Sequence, residues 1–486
     1  MCTSPTTTKD HHIPAQPSLN GVSLDILLEI MSYLEWHELL VLRKVCTGLN
    51  RASRERVLWR NLITSSPSRF TLTKRIQRCS SQELEDAFLR VQRAQHNWTN
   101  PRFITPHVRP RPGLGNIHSC RNNYVLLPGG RWLLKLEWQR TFTVFYADLN
   151  SGETNTWRTL IHLQSETNPA SFLYRTRMSQ LLDIDQSSEC LAFNFLTLTD
   201  MPGEETKEFL PTRFDVWRCT SEYDTDDCEI GLQASLLSSF QETHAELNSF
   251  KASLTGDFVT YEVIYDSYFR QVVVDWKLAN GQIERLPRYV FPQQYEDDEQ
   301  TWFLLPRNRL FRLTSFQWDV FSWDQMLPST DASGFDLSGL EATDSGLVAS
   351  CTSPSASGRY DHIFVRNDTV HIINVLLDQT TRFYFQLPIS DSPSPLTVTS
   401  AVLYGSLSES TFFDFSENRA LFRYSSNRFS FVKYHRDHEE KEDSSIETFN
   451  WEHDMPFHAV SDVAFDDISS RCLFTSPDDQ HYTVDL

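Results

Sequence analysis

His435 and His438, with Glu439 and Glu440 beside them, are residue types that can hold a metal. They sit in a stretch crowded with charge, where such side chains are expected to be solvated, and no metal is assigned to them. Asp224, Asp226 and Asp227 are spaced like the start of a calcium loop, but the sixth-position glycine and the closing glutamate are missing. The chain has no GxSxG elbow, no phosphate loop, no HExxH and no GxGxxG placed after a strand. Gly113-Leu114-Gly115 follows a proline run and lacks the helix that phosphate binding would need. Nine cysteines are scattered without a CxxC pair, which argues against a zinc ribbon and against a disulfide framework. Cys46 falls on an apolar stripe and reads as a small packed hydrophobe rather than an activated thiol. No catalytic residue, metal or cofactor is assigned, and the chain is expected not to be an enzyme.

The elements that would position any site divide the chain in two. At 486 residues, with 40% apolar and 13% aromatic residues, there is enough material for a small and a large unit. Charged residues make up 22%, which excludes global disorder. Net charge is −20, yet residues 1–121 carry 17 Lys and Arg against 9 Asp and Glu, a balance of +8, leaving −28 for residues 122–486. Such asymmetry predicts two units with different duties. The acidic part should repel phosphate backbones, so direct nucleic-acid binding is disfavoured, and a basic protein partner is easier to accommodate. Solubilising acidic loops would produce the same balance. Residues 1–20 are polar, without the apolar core of a signal peptide, and read as a disordered tail. No apolar run is long enough to span a membrane. A cytoplasmic or nuclear protein is expected.

Residues 21–64 form a dense apolar unit. Ser23 is placed to cap a helix in which Leu24, Leu27, Leu28, Met31 and Leu34 recur at helical spacing, with Asp25, Glu29 and Ser32 on the wetted face. A second helix is predicted from Trp36, carrying Leu39, Leu42, Val45, Cys46 and Leu49 on one stripe, with Gly48 near its end. Some forty residues in short helices cannot enclose all these side chains, so the surplus should be covered by the rest of the chain or by another protein.

The run from Val22 to Leu34, then Glu38 to Cys46, then Leu58-Trp59, resembles an F-box in the order and spacing of its landmarks. Val22-Ser23 stands where that family commonly has Leu-Pro, and Trp36 where a proline often follows the first helix. The resemblance implies a helical bundle that docks on a Skp-type adaptor and so on a cullin-RING ubiquitin ligase. Carried over by position, Leu24, Leu27, Ile30, Leu34, Leu39, Leu42, Val45, Cys46 and Trp59 would form the adaptor-binding or bundle-core set.

Residues 65–113 read as a linker. Ser80-Ser81-Gln82-Glu83 has the capping-box pattern, and Leu84, Phe88 and Val91 mark one helical face. The helix ends near Asn97-Trp98, and Pro101 to Pro112, with four prolines, cannot continue it and reads as a spacer. A helix ending this way looks like the linker of fungal F-box proteins. Asn97 and Asn367 head glycosylation sequons, which matter only in a secreted chain.

Residues 114–486 are expected to be all β. Segments such as Arg213 to Trp217, Gln271 to Trp276 and Trp318 to Trp323 are short and rich in β-branched and aromatic residues. Asp148, Trp217, Trp276, Trp323, Val375, Tyr434 and Val484 serve as equivalent landmarks, spaced 69, 59, 47, 52, 59 and 50 residues apart. Steps of that size predict a β-propeller of about seven blades, in which stacking neighbours supply each blade's core. The last strand, near Tyr482, is expected to share a blade with an early strand near Asn116 to Tyr124, closing the ring. The landmarks are only similar to WD repeats, and a pair of β-sandwiches is the alternative architecture. The acidic stretches Asp224 to Glu229, Glu296 to Glu299 and His438 to Asp443 are read as solvated loops.

An F-box ahead of a propeller is the organisation of substrate receptors in this ligase class. The expected role is therefore non-catalytic, with the target and its binding residues unassigned. A propeller-type hydrolase, or a scaffold whose F-box-like helices only pack on their own chain, is the alternative.

Overall fold

Alternation of apolar and wetted positions in the first forty described residues resolves, in the computed structural model, into four short helices: α1 (Leu24–Ser32), α2 (Trp36–Leu42), α3 (Thr47–Ala52) and α4 (Arg56–Thr64). The structure describes residues 22–99, 107–114, 124–138, 141–151, 156–164, 178–200, 211–243, 246–265, 268–279, 286–292, 301–314, 316–324, 326–330, 347–353, 359–366, 369–375, 379–388, 394–405, 411–415, 419–425, 428–433, 447–452, 462–466, 468–476 and 480–485. The polar tail 1–20, the His435–Glu440 group and the glycosylation sequon at Asn367 lie outside them.

Leu27, Met31, Leu39, Leu49, Ala52 and Leu58 make the centre of the bundle. The helix expected to run from Trp36 past Cys46 is two helices. Cys46 is extended (φ −158°) and caps α3, its Sγ accepting the Leu49 N–H at 3.5 Å. A side chain satisfying an orphan amide starts a new helix here, although the apolar spacing continues across the break. Ser23 occupies the cap position of α1, but its hydroxyl makes no cap bond.

Helix α5 (Ser81–Thr99) begins on the predicted capping box. The Ser80 hydroxyl accepts the Glu83 N–H at 3.2 Å, and a Glu83 carboxylate oxygen accepts the Ser80 N–H at 2.7 Å. Leu84, Ala87, Phe88 and Leu89 then pack with Trp59, Ile63, Ile76 and Cys79 in one core.

Beyond α5 the described residues form seven sheets, each built on four antiparallel strands; the sheet that includes Gln317–Ser322 adds a fifth, the two-residue parallel strand Ser394–Pro395. Blades 1 to 6 run in sequence, their four main strands falling within 124–164, 182–242, 246–292, 301–352, 359–405 and 411–452. Blade 7 takes three strands from the end of the chain (Asp462–Asp466, Arg471–Thr475, His481–Asp485) and its outermost from the beginning, His107–Pro110. In that pairing His107 faces Asp485, Val108 faces Val484 and Arg109 faces Thr483. The first strands of blades 7 and 1 lie side by side, as do those of blades 6 and 7. The ring is a propeller closed by its two ends, and the closing strand comes earlier than the expected 116–124. Part of the proline-rich stretch is therefore sheet. Pro110, lacking an N–H, is tolerated because it sits on an outer edge strand.

Aromatic side chains fill the wedges between blades. Phe214 and Phe240 of blade 2 stack at 4.8 Å, and Phe214 meets Tyr261 of blade 3 at 4.6 Å. Phe258 of blade 3 meets Trp323, after the third strand of blade 4, at 5.0 Å. Buried charge crosses the same seams: Glu242 of blade 2 accepts from both Tyr261 and Arg288 of blade 3 at 2.8 Å.

Candidate functional site

The helical module buries its core and leaves a second apolar set outside. In α1, Leu27 and Met31 point inward. Ile26, Ile30 and Tyr33, at intervals of four and three, line another face and are 55%, 52% and 80% exposed. Val41 of α2 and Val45 in the following turn are 58% and 62% exposed. Seven of the fourteen exposed large hydrophobic residues among those described lie between Leu24 and Val57, so the unpartnered apolar surface is concentrated here.

The nine residues carried over from the family pattern divide by depth. Leu27, Leu39 and Trp59 are interior, with Trp59 at 0% exposure. They have no surface to offer a second chain and act by shaping the bundle. Leu34, Leu42 and Cys46 are half-buried, whereas Leu24, Ile30 and Val45 are exposed. Ile26, Tyr33 and Val41 join the exposed set without having been singled out. For Ile26 and Tyr33 the signal was a second stripe along α1 and its cap, masked by the longer leucine stripe; Val41 lies beside the buried stripe of α2.

Trp59 fixes the bundle's position. Its Nε1–H donates to the Ser53 carbonyl at 2.9 Å, its ring meets Phe88 of α5 edge-on at 6.1 Å, and the Arg43 guanidinium lies 5.3 Å from its centroid. Arg43 also bonds Glu85 of α5. The module is thereby tied to α5, and the connector between α4 and α5 is tied to the ring.

That second tie uses turns from one face of the propeller. In an up-and-down sheet, the turns after the first and third strands emerge at the same end. Phe70 lies over Gly129 of the first turn in blade 1, so close that a Cβ there would stand 2.2 Å from the Phe70 carbonyl oxygen. Arg69 and Gln77 donate to Gln186 and Glu189 in the first turn of blade 2. Lys74 bridges to Cys228, and the Glu229 N–H donates to the Thr73 carbonyl at 2.8 Å. Arg75 and Arg78 reach Asp227 at 3.3 and 2.8 Å. The Asp224–Glu229 stretch is accordingly not a free solvated loop but a dock for the chain's own basic connector.

The calcium-like spacing is absorbed by the same turn. Asp224 Oδ1 accepts the N–H groups of Asp226 and Cys228 at 2.9 and 2.8 Å, and Asp227 is held by arginines. Among the described residues no cluster of three or more His, Cys, Asp or Glu could hold a metal. Burial pushes the thiols of Cys79 and Cys351 up to about 11 and that of Cys219 to about 12, opposite to what a nucleophile needs. No described helix is long and apolar enough to cross a membrane.

No curated protein matches the chain. Solved structures that match include a chain of the mitotic checkpoint complex, at 9% identity, covering 79% of this chain and 94% of that one with a TM-score of 0.34. The β-propeller domain of Myceliophteria thermophila Cps50 (Swd1) matches at 10% identity over 79% of this chain and 100% of its own, with a TM-score of 0.38. The AfRom2 CNH domain matches at 12% identity over 78% and 99%, with a TM-score of 0.34. The propeller assignment rests on the seven sheets themselves. At the front of the chain the match is to a family: residues 24–65, which carry the exposed apolar face, match the F-box-like model.

Proposed function

We propose that the protein is the substrate-recognition subunit of an SCF-type ubiquitin ligase, its F-box-like domain binding a Skp-type adaptor and its propeller binding a target protein. The observation that carries this is the exposed apolar face of a module whose own core is already filled. Leu24, Ile30 and Val45, with Ile26, Tyr33 and Val41, are the contact residues; Leu27, Leu39 and Trp59 hold the shape, and Leu34, Leu42 and Cys46 border the two sets. The chemistry is proximity, a target held near ubiquitin activated on other subunits, and no residue of this chain needs a catalytic role. The units would be arranged as a tail (1–20), an F-box (21–64), a linker (65–113) and a propeller (114–486), acting in the cytoplasm or nucleus. With a balance of −28 beyond residue 121, the propeller suits a basic target rather than nucleic acid. The turns on the face away from the connector are the ones left to meet it.

Retention of the full chain on an immobilised Skp-type adaptor tests the reading. Ile30→Asp together with Val45→Asp should reduce retention about tenfold or more, since a charge would have to be desolvated in the contact. Equal retention of the wild type and this variant, or none by the wild type, would overturn it.

A further inference from the structure

Helix α5 does not lie flush on the ring. Between it and the seam of blades 7 and 1 is a cleft of about 500 Å³, a volume suited to a small ligand. The helix contributes Arg90 and Arg93, both exposed and neither hydrogen-bonded or ion-paired to any described residue. The far wall contributes Arg471, which bonds Asp485 at 2.5 and 3.2 Å, the Gly130 carbonyl at 2.7 Å and Asn150 Oδ1 at 2.8 Å. Strand alternation sets Arg109 on the same face of blade 7, with Nη2 3.9 Å from Asp485. Behind it Arg111 is buried and donates to Thr483, while its Nη2 has no hydrogen-bond partner among the described residues. Burial and then the Arg471 charge hold Arg111 below the usual arginine pKa. Three guanidiniums and two carboxylates line the cleft, and Arg109 and Arg111 stand beside it, in a chain whose net charge is −20. Asp485 is already neutralised by Arg471, and Asp86 accepts only a neutral amide, from Gln82 at 2.9 Å.

We propose that this cleft binds a small phosphorylated ligand, with Arg90 and Arg93 as its direct partners and Arg471, held in place by Asp485, on the opposite wall. A phosphoryl group matches the charge of the two unengaged arginines and the fork geometry of guanidinium donors. A bound ligand would touch α5 and two blades at once, stiffening the helical module against the ring. The inference does not depend on adaptor binding.

Titration calorimetry of the full chain with inorganic pyrophosphate at fixed ionic strength tests this. Saturable single-site binding is expected, weakened about tenfold or more by Arg90→Gln with Arg93→Gln and unchanged by Arg60→Gln, an exposed arginine elsewhere. Both arginines of the pair are on the surface, so the variant should fold. Absence of wild-type binding, or equal binding by the double variant, would overturn the site. Citrate binding as tightly as pyrophosphate would overturn the phosphoryl assignment, because the cleft would then be reading charge alone.

Discussion

Arg43, just past α2, grips both carboxylate oxygens of Glu85 in α5 at 2.5 and 2.9 Å, with side chains only 13% and 9% exposed. The same guanidinium reaches Ser53 and covers Trp59, so one side chain joins the F-box-like bundle to the next helix. Glu85→Ala would leave that charge buried and unpaired, a loss of about 3–5 kcal/mol. Replacing both, as Arg43→Met with Glu85→Leu, should recover most of the loss. Urea unfolding of the wild type and these two variants measures it; equal stability of Glu85→Ala and wild type would show that the pair is not desolvated.

Depth in the bundle predicts a split between stability and binding. Trp59→Ala removes a fully buried ring together with its bond to Ser53 and should destabilise by about 3–5 kcal/mol. Ile30→Asp changes an exposed position and should alter stability by no more than about 0.5 kcal/mol while weakening adaptor retention. Thermal melts set beside retention on the adaptor distinguish the two; a large stability loss for Ile30→Asp would mean its face is covered by the chain itself.

How much of this was legible beforehand depended on local pattern. The capping box at Ser80 and Glu83 and the Leu84, Phe88 and Val91 face are short-range signals and appear as read. Asp148 and Trp217 lie in third strands, Val484 in the third strand of blade 7, and Trp276 and Trp323 just after third strands. Val375 ends a second strand, because in blade 5 the second and third strands are equally rich in β-branched and aromatic residues. Tyr434 is outside the described residues. The closing strand His107–Pro110 pairs across more than three hundred residues, and nothing local marks it within a run of prolines. Docking of the connector on Asp227 was hidden for the same reason, since an acidic turn and a distant basic segment show no mutual spacing.

Ring closure should be required for the propeller's stability. A chain beginning at residue 111 lacks the outer strand of blade 7 and exposes the edge of His481–Asp485. Reduced cooperativity on melting and new protease cleavage in blade 7 are expected, measured against the full chain.

Acid should loosen the start of α5. The Lys74 side-chain bond, then the Ser80 N–H, hold the Glu83 carboxyl at about 2 in place of its ordinary 4.5. A depressed folded value means that the contribution is complete above pH 4.5 and is lost as pH falls toward 2. Glu83 is 43% exposed, so screening limits it to less than about 1 kcal/mol. Glu83→Gln should lower stability at neutral pH by that amount and converge with wild type near pH 2. Parallel stability curves across this range would refute the assignment.

Asp227 makes two contributions to the connector dock that substitutions can separate. Its carboxylate meets Arg75 and Arg78, and its backbone is left-handed at φ +58°. Asparagine tolerates that conformation, so Asp227→Asn removes only two partly exposed ion pairs, each worth up to about 1 kcal/mol and weakened by salt. Valine is β-branched and resists positive φ, so Asp227→Val should cost about 1–2 kcal/mol more, a difference that salt does not change. The Thr73 and Cys228 ladder depends on the turn keeping its shape, so only the valine variant should expose residues 66–80 to protease. If both variants are cleaved alike, the ion pairs rather than the turn conformation hold the connector on the ring.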